Sequence, residues 1–124
     1  GHKFTLHVKP TGQWKGVIDC EVLRVEPCTA LSYTWDAIID NASTSLKTVV
    51  SWTLVPTGKG TLVRMEQSGF LPEQENNYQG ANYGWPRFFA ALSKYSLSGM
   101  RYFWPGMLGH PTSGFIPRRF QYLA

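Results

Sequence analysis

Long hydrophobic runs and cysteines are both scarce in this sequence of 124 residues. No run approaches the roughly 18 consecutive apolar residues that a membrane-spanning helix needs, so we expect no membrane-embedded segment. The first ten residues also lack the pattern of a secretory signal. The two cysteines, Cys20 and Cys28, form no CxxC pair and have no histidine pair nearby, which excludes the usual zinc pattern. Two such thiols suit a reducing compartment, and the sequence predicts a cytoplasmic protein.

Acidic charge is absent from the last third of the chain. All eight acidic residues lie at or before Glu75, whereas five basic residues follow it: Arg87, Lys94, Arg101, Arg118 and Arg119. A basic patch can attract nucleic acid. These cations are spread along the chain, however, as ordinary surface charge is, so we expect no nucleic-acid partner.

Catalytic motifs are missing as well. The three histidines, His2, His7 and His110, have no metal-ligand spacing to one another or to a cysteine or carboxylate. No GxSxG elbow is present, and the "GKG" at 58–60 lacks the longer spacing of a phosphate-binding loop. The spacing of the carboxylates does not require any two of them to converge. The sequence therefore predicts no catalytic residue, no metal site and no cofactor.

What the sequence does contain is a series of strands. Apolar and polar residues alternate in five segments separated by short turn-forming stretches, which predicts an antiparallel meander. The five segments are "KFTLHV", "GVIDCEVLRVE", "LSYTW", "TVVSWTLV" and "TLVRMEQSGF". In the second segment, apolar residues change face after Val22, and a bulge there would restore a single apolar face.

The pattern changes after Phe70. A polar stretch, "LPEQENNYQG", is interpreted as a linker, and then aromatic and apolar residues recur at helical spacing. They are Trp85, Phe88, Phe89, Leu92 and Tyr95. Pro86 fits best in the first turn of this helix, and we expect the helix to end at Gly99. Strands followed by a helix predict one α+β domain, in which a curved antiparallel sheet packs on a C-terminal helix.

Three parts of the sequence carry a resemblance to a known family. They are "WKGVIDCEVLRVEPCTALSYTW", "TVVSWTLVPTGKGTLVRMEQSGF" and "GANYGWPRFFAAL". In order and spacing they resemble the activator of heat-shock protein 90 ATPase homologue family. That family belongs to the START-like, or SRPBCC, superfamily, whose helix-grip fold is similar to that of the birch-pollen allergen. The resemblance implies a START-like domain over residues 1–97.

Two departures from the family lead to an expectation about assembly. Family members normally begin with a strand and two short helices before the strand at Lys3, and these elements are not seen here. Residues 98–124 form an atypical aromatic and basic tail with no sustained period, which we expect to pack on its own domain or on another chain. An open sheet edge favours association, so we expect a homodimer in which the tail covers part of the exposed surface.

The resemblance also implies a binding site between the sheet and the helix. Apolar contacts would come from Tyr33, Trp35, Trp52, Met65, Trp85, Phe88 and Leu92. Glu66 and Ser68 are the candidate polar contacts, although for Glu66 a surface ion pair with Arg64 or a neighbour is the commoner role of such a residue. Such sites are concave and mostly apolar. The alternative is that these large rings simply fill the core.

Three functions remain open at this stage. The first is a non-enzymatic domain that binds a small hydrophobic ligand. The second is a protein-interaction module that acts on a heat-shock protein 90 chaperone, which the family name alone suggests. The third is a cyclase- or hydrolase-like enzyme, because the superfamily contains enzymes, although no metal or nucleophile pattern supports it.

Overall fold

The part of the chain that the structure describes forms a single antiparallel sheet and one long helix. A computed structural model describes residues 1–10, 14–39, 45–58, 60–93, 101–103 and 118–123. The strands are β1 (Lys3–His7), β2 (Trp14–Glu26), β3 (Ala30–Ile39), β4 (Leu46–Thr57), β5 (Gly60–Ser68), β6 (Arg101–Phe103) and β7 (Arg118–Leu123). A short 3₁₀ helix (Pro72–Gln74) leads into helix α1 (Glu75–Ser93). The predicted α+β architecture, five consecutive antiparallel strands followed by a helix, is confirmed.

Strand β2 is irregular at two points. Its register with β3 shifts between Val22 and Arg24, which confirms the bulge predicted near Val22. The bulge brings Val25 directly opposite Leu31, and thus onto the face that packs against α1. A second shift lies between Trp14 and Ile18, where Gly16 adopts a left-handed conformation with φ of 74°.

The predicted start of the helix is wrong. Helix α1 begins at Glu75, so the stretch interpreted as a polar linker contributes its first turns, and Pro86 lies inside the helix. The reason is a start signal in front of it: Pro72 opens the 3₁₀ turn, and the side chain of Gln74 accepts a hydrogen bond of 2.9 Å from the backbone N–H of Leu71. Pro86 itself donates no backbone hydrogen bond to the preceding turn. Tyr95 and Gly99 lie outside the described residues.

Helix α1 packs across the inner face of the sheet and buries the core. Four side chains have essentially no exposure to solvent, and they come from three strands and the helix: Ile18, Val50, Met65 and Phe89. The inner face of the sheet is therefore the face on which Ile18, Val50 and Met65 lie. On β2 to β5, every second residue lies on this face. Among the described residues, no helix has both the length and the apolar character needed to span a membrane.

Two strands from the tail extend the sheet. Strand β7 pairs with the edge of β5, and β6 pairs with β7, so that the order is β1-β2-β3-β4-β5-β7-β6. Every neighbouring pair of strands is antiparallel. The tail thus lies on the sheet of its own chain at these positions.

Candidate functional site

The inner face of the sheet brings together the strand residues predicted to line the site. Trp52 stands opposite Leu31 on β3 and opposite Met65 on β5. Its indole N–H donates a hydrogen bond of 3.1 Å to the hydroxyl of Tyr33, two residues along β3. Because alternate residues of a strand share one face, Trp35 lies on the same side as Tyr33. The strands thus form a continuous aromatic wall.

Trp85 is where the helix meets this wall. The centroid of its ring lies 5.3 Å from that of Trp35 and 5.8 Å from that of Trp52. Phe89, one helical turn later, lies 5.4 Å from Trp52 and is fully buried. The interplanar angles of 52° to 77° are those of tilted and edge-to-face pairs, the geometry that aromatic rings prefer. The centre of the space between the sheet and α1 is thus occupied by the side chains of the protein.

A buried chain of hydrogen bonds ties the helix to the sheet. The indole N–H of Trp85 donates to Oε1 of Gln67 at 2.7 Å, and Nε2 of Gln67 donates to Oγ1 of Thr48 at 2.9 Å. The Thr48 hydroxyl in turn donates to the backbone carbonyl of Trp35 at 3.1 Å. Gln67 and Thr48 are each only 2% exposed. A satisfied polar network of this kind holds a helix in one position on a sheet.

Gln67 and Thr48 were missed by the sequence reasoning, although a signal was present. Gln67 follows Met65 by two residues on β5, and Thr48 precedes Val50 by two residues on β4, so each shares the inner face with a core residue. Apart from Ser68, only apolar and charged residues had been considered as candidates. A polar residue in phase with buried neighbours should also have been considered.

The two predicted polar contacts lie on the other face. Glu66 and Ser68 alternate with Met65 and Gln67, which point toward the helix, and so they face away from it. The structure therefore does not bring Glu66 and Ser68 together with the aromatic residues. In register, Glu66 stands opposite Ser51 on β4 and Arg119 on β7.

One end of the inner face carries partly exposed apolar side chains. Phe88 is 48% exposed, although the centroid of its ring lies 6.1 Å from that of Trp52. Leu92 follows one turn later and is 36% exposed, and Leu31, opposite Trp52, is 37% exposed. We call Leu31, Trp52, Phe88 and Leu92 the apolar rim. It continues the buried aromatic cluster outward, because Trp52 contacts both Phe88 and the buried Phe89.

Replacement of Trp85 by Phe tests the hydrogen-bonded chain. The change removes the indole donor and leaves Oε1 of Gln67 buried without this partner, so we expect a loss of about 2 kcal/mol in the free energy of unfolding. In the Trp85→Phe background, Gln67→Met should recover part of this loss because no buried amide oxygen remains. Urea denaturation followed by circular dichroism measures both values. A larger loss in the double variant than in the single variant would contradict this role of the network.

A surface depression of about 350 Å³ lies on the opposite face of the sheet. The outward side chains along it include Lys3, Thr5, Asp19, Glu21, Thr34 and Asp36. Asp19 and Asp36 are direct cross-strand partners, and the Thr5 hydroxyl donates to Oδ1 of Asp19 at 3.2 Å. Partial burial raises the pKa of the Asp36 carboxyl group. The positive charge of Lys47 lowers this pKa, and the negative charge of Asp19 raises it.

Nearby Cys20 is an unreactive thiol. Burial, assisted by the charges of Asp36 and Asp19, raises its pKa to about 11. Since the thiolate is the nucleophilic form, Cys20 is protonated and inert near neutral pH. In the part of the chain that the structure describes, no three His, Cys, Asp or Glu side chains are grouped so that they could hold a metal ion.

The raised pKa of Asp36 predicts how stability depends on pH. A carboxyl group whose pKa is higher in the folded than in the unfolded state destabilises the fold once it ionises. The cost is absent below the unfolded value near 3.8 and is complete above the folded value. We therefore expect Asp36→Asn to stabilise the protein at pH 7 by about 0.5 kcal/mol, because a neutral side chain avoids the cost of partly burying a charge and no longer repels Asp19. The gain should vanish near pH 3.

Thermal unfolding at a series of pH values measures the effect of Asp36→Asn. Glu26→Gln is the matched control, because Glu26 is an exposed carboxylate that pairs with Arg24 on the same strand. This control should not stabilise the protein at pH 7. A destabilising effect of Asp36→Asn at pH 7 would show that the attraction to Lys47 dominates.

A curved antiparallel sheet packed around one long helix, with an aromatic inner face, defines the helix-grip class of START-like proteins. Residues 1–96 match the family model described as Activator of Hsp90 ATPase homolog 1-like protein, so the chain belongs to that family. This confirms the resemblance found in the sequence.

A solved structure supports the same assignment. The crystal structure of protein MLL2253 from Mesorhizobium loti is 50% identical in sequence and superposes with a TM-score of 0.64. The match covers 74% of this chain and 65% of that protein, so the chain spans less than two thirds of the relative's length. Among curated proteins, none gives a significant match.

Proposed function

We propose that this protein binds a small hydrophobic ligand at the apolar rim, without covalent catalysis. The observation that carries the proposal is the continuity of the rim with the buried aromatic cluster through Trp52. Apolar side chains at the centre are fully used in packing, whereas Phe88 and Leu92 expose much of their surface. A ligand that covered Phe88, Leu92 and Leu31 would remove this apolar area from water, which is the main source of affinity for such ligands.

The proposed site differs from the one first expected from the sequence. Of the nine predicted residues, Trp52, Phe88 and Leu92 belong to the rim, and Leu31 is added to them. The side chains of Tyr33, Met65 and Trp85 are buried in the core beneath the apolar rim. Trp35 contacts Trp85 and belongs to the same layer of side chains beneath the rim. Glu66 and Ser68 face the opposite side of the sheet and take no part in the proposal.

Tryptophan fluorescence can test ligand binding because Trp52 lies in the rim. The full chain would be titrated with straight-chain alcohols of eight to twelve carbons and, separately, with an anilinonaphthalene sulfonate dye. We expect saturable binding whose affinity rises with chain length, by up to about 0.8 kcal/mol for each CH₂ group buried. Thermal stability should rise with ligand concentration, because a ligand that binds only the folded state stabilises it.

A matched pair of substitutions on one helix localises the site. Phe88→Ala should weaken binding at least tenfold, whereas Tyr83→Ala should leave it unchanged. Tyr83 is an exposed aromatic residue of the same helix, and its ring lies 3.8 Å below the guanidinium carbon of Arg87. Equal effects of the two substitutions, or no saturable binding by any of the probes, would overturn the proposal.

The description of the family favours a second candidate function, activation of a heat-shock protein 90 ATPase. The relevant experiment measures the ATPase rate of the chaperone with and without the full chain. A concentration-dependent rise would support this function, and an unchanged rate would remove it. The Phe88→Ala variant links the two candidates, because a chaperone that docks on the apolar rim would lose activation with this variant.

A further inference from the structure

Tyr33 carries a buried hydroxyl group whose hydrogen bonding is incomplete within the part of the chain that the structure describes. The hydroxyl oxygen accepts a hydrogen bond of 3.1 Å from the indole N–H of Trp52. A tyrosine hydroxyl can also donate its own proton. Among the described residues, none accepts that proton. Tyr33 is only 8% exposed, and a polar group buried to this extent normally uses its hydrogen-bonding capacity.

This hydroxyl group lies at the boundary between the packed core and the apolar rim. Its partner Trp52 belongs to the rim, and Leu31, another rim residue, precedes Tyr33 by two positions on β3 and so shares its face. The ring of Tyr33 packs edge to face on that of Phe4, with the two centroids 5.4 Å apart. Because Phe4 contacts the ring and Trp52 binds the hydroxyl, the donor has a defined position next to the rim.

The surroundings of the hydroxyl group favour a neutral partner. Burial raises the pKa of Tyr33 above its ordinary value of 10, the hydrogen bond from Trp52 lowers it, and Cys20 raises it. The net shift is upward, so the hydroxyl keeps its proton near neutral pH and remains a donor. A carboxylate bound here would need a buried positive partner, because an isolated buried charge is costly. The polar side chains that are buried in the described residues are uncharged: Thr48, Gln67 and Gln74.

From these observations we infer that Tyr33 selects the head group of the ligand. The apolar rim takes a molecule with an apolar chain and one neutral acceptor oxygen, such as that of a ketone or an alcohol, and the Tyr33 hydroxyl donates to this oxygen. This inference rests on the ligand binding at the apolar rim proposed above. Tyr33 is then a specificity-determining residue, since its hydrogen bond distinguishes a ligand with an acceptor oxygen from one that is only apolar.

A ketone and a chloroalkane of similar length test this role in the full chain. The methyl ketone of ten carbons accepts a hydrogen bond, whereas the matching chloroalkane is a poor acceptor. Isothermal titration calorimetry measures both affinities for the unmodified protein and for Tyr33→Phe, which keeps the ring and removes the hydroxyl. We expect Tyr33→Phe to weaken ketone binding about three- to tenfold, the value of one hydrogen bond, and to leave the affinity of the chloroalkane unchanged.

Phe4→Leu is the matched control, because it disturbs the packing of the Tyr33 ring and keeps the hydroxyl group. This variant should change the two affinities by the same factor, so that their ratio stays as in the unmodified protein. A ratio that falls as far with Phe4→Leu as with Tyr33→Phe would show that ring packing, and not the hydroxyl donor, sets the preference, and would overturn the inference.

The same measurements separate this inference from the proposed function. Saturable binding of both ligands with the same affinity ratio in the unmodified protein and in Tyr33→Phe would overturn the role of Tyr33 and leave binding at the rim in place. Binding of neither ligand to the unmodified protein would overturn both. Infrared spectroscopy adds a direct readout: the carbonyl band of the bound, isotopically labelled ketone should lie at lower frequency in the unmodified protein than in Tyr33→Phe. An identical band position would contradict the hydrogen bond.

Discussion

Phe89→Ala is expected to lower the free energy of unfolding by about 3–5 kcal/mol, the largest effect among the substitutions considered for this protein. The side chain is 0% exposed, and its ring lies among those of Trp52, Trp85 and Phe88 at centroid distances of 5.4 to 6.4 Å. Its removal leaves a cavity where the helix meets the sheet. Because a small domain is stable by only about 5–15 kcal/mol, a substantial loss of folded protein should follow. Urea denaturation followed by circular dichroism measures the change.

The neighbouring residue provides the control for this prediction. Phe88 precedes Phe89 in the helix but is half-exposed, so Phe88→Ala should cost about 1 kcal/mol or less. The pair therefore separates packing from binding: Phe89→Ala affects stability, and Phe88→Ala affects ligand affinity. Similar losses of stability in both variants would mean that the apolar rim is part of the packed core.

Gly16→Ala is the second substitution with a large expected effect, about 3 kcal/mol of destabilisation. Gly16 is buried and has φ of 74°, a conformation that costs an alanine about 1–2 kcal/mol. A Cβ atom would also overlap the carbonyl oxygen of Val8 and lie 3.2 Å from the backbone nitrogen of Pro10. The backbone of Val8 cannot move away freely, because its N–H donates a 2.8 Å hydrogen bond to the carbonyl of Gly16. Thermal and urea unfolding of the variant measure the loss.

Glycines in the helix should respond in the opposite direction. Gly80 and Gly84 lie within α1, and nothing is found within 4 Å of a Cβ atom placed at either residue. Gly80→Ala and Gly84→Ala should therefore each stabilise the protein by about 0.5–1 kcal/mol, since glycine is a poor residue for a helix interior. If Gly16→Ala proved as harmless as these two, the irregularity of β2 at Gly16 would have no role in stability.

Part of the candidate site could be located from the sequence. Alternation in "LSYTW" and "TVVSWTLV" placed Tyr33, Trp35 and Trp52 on one face, and the structure has them there. Helical spacing likewise brought Trp85, Phe88 and Leu92 to one side of the helix. The same alternation places Glu66, Arg64 and Ser68 on one face of β5 and Met65 on the other. Glu66 was nevertheless retained as a ligand contact because of the family resemblance, and the geometry does not support that choice.

Other features depended on information that local patterns do not carry. The start of α1 was placed too late because polar residues at 75–80 show no apolar period, although the turn at Pro72 begins the helix. The tail lacked any period that would reveal β6 and β7. The place of β7 in the sheet depends on pairing with β5, which ends fifty positions before β7 begins, and β6 in turn pairs with β7.

By itself, the sequence determined the family, the order of five strands and a helix, and the face on which the aromatic residues of β3, β4 and the second half of α1 lie, because these follow from alternation, helical spacing and ordered motifs. Only the tertiary structure decided which aromatic residues are packed and which remain open. Burial depends on where the helix lies across the sheet, and the contacts of Trp85 with Trp35, Trp52 and Gln67 set that position. Phe89 consequently belongs to the core, whereas Phe88, one residue earlier, is half-exposed.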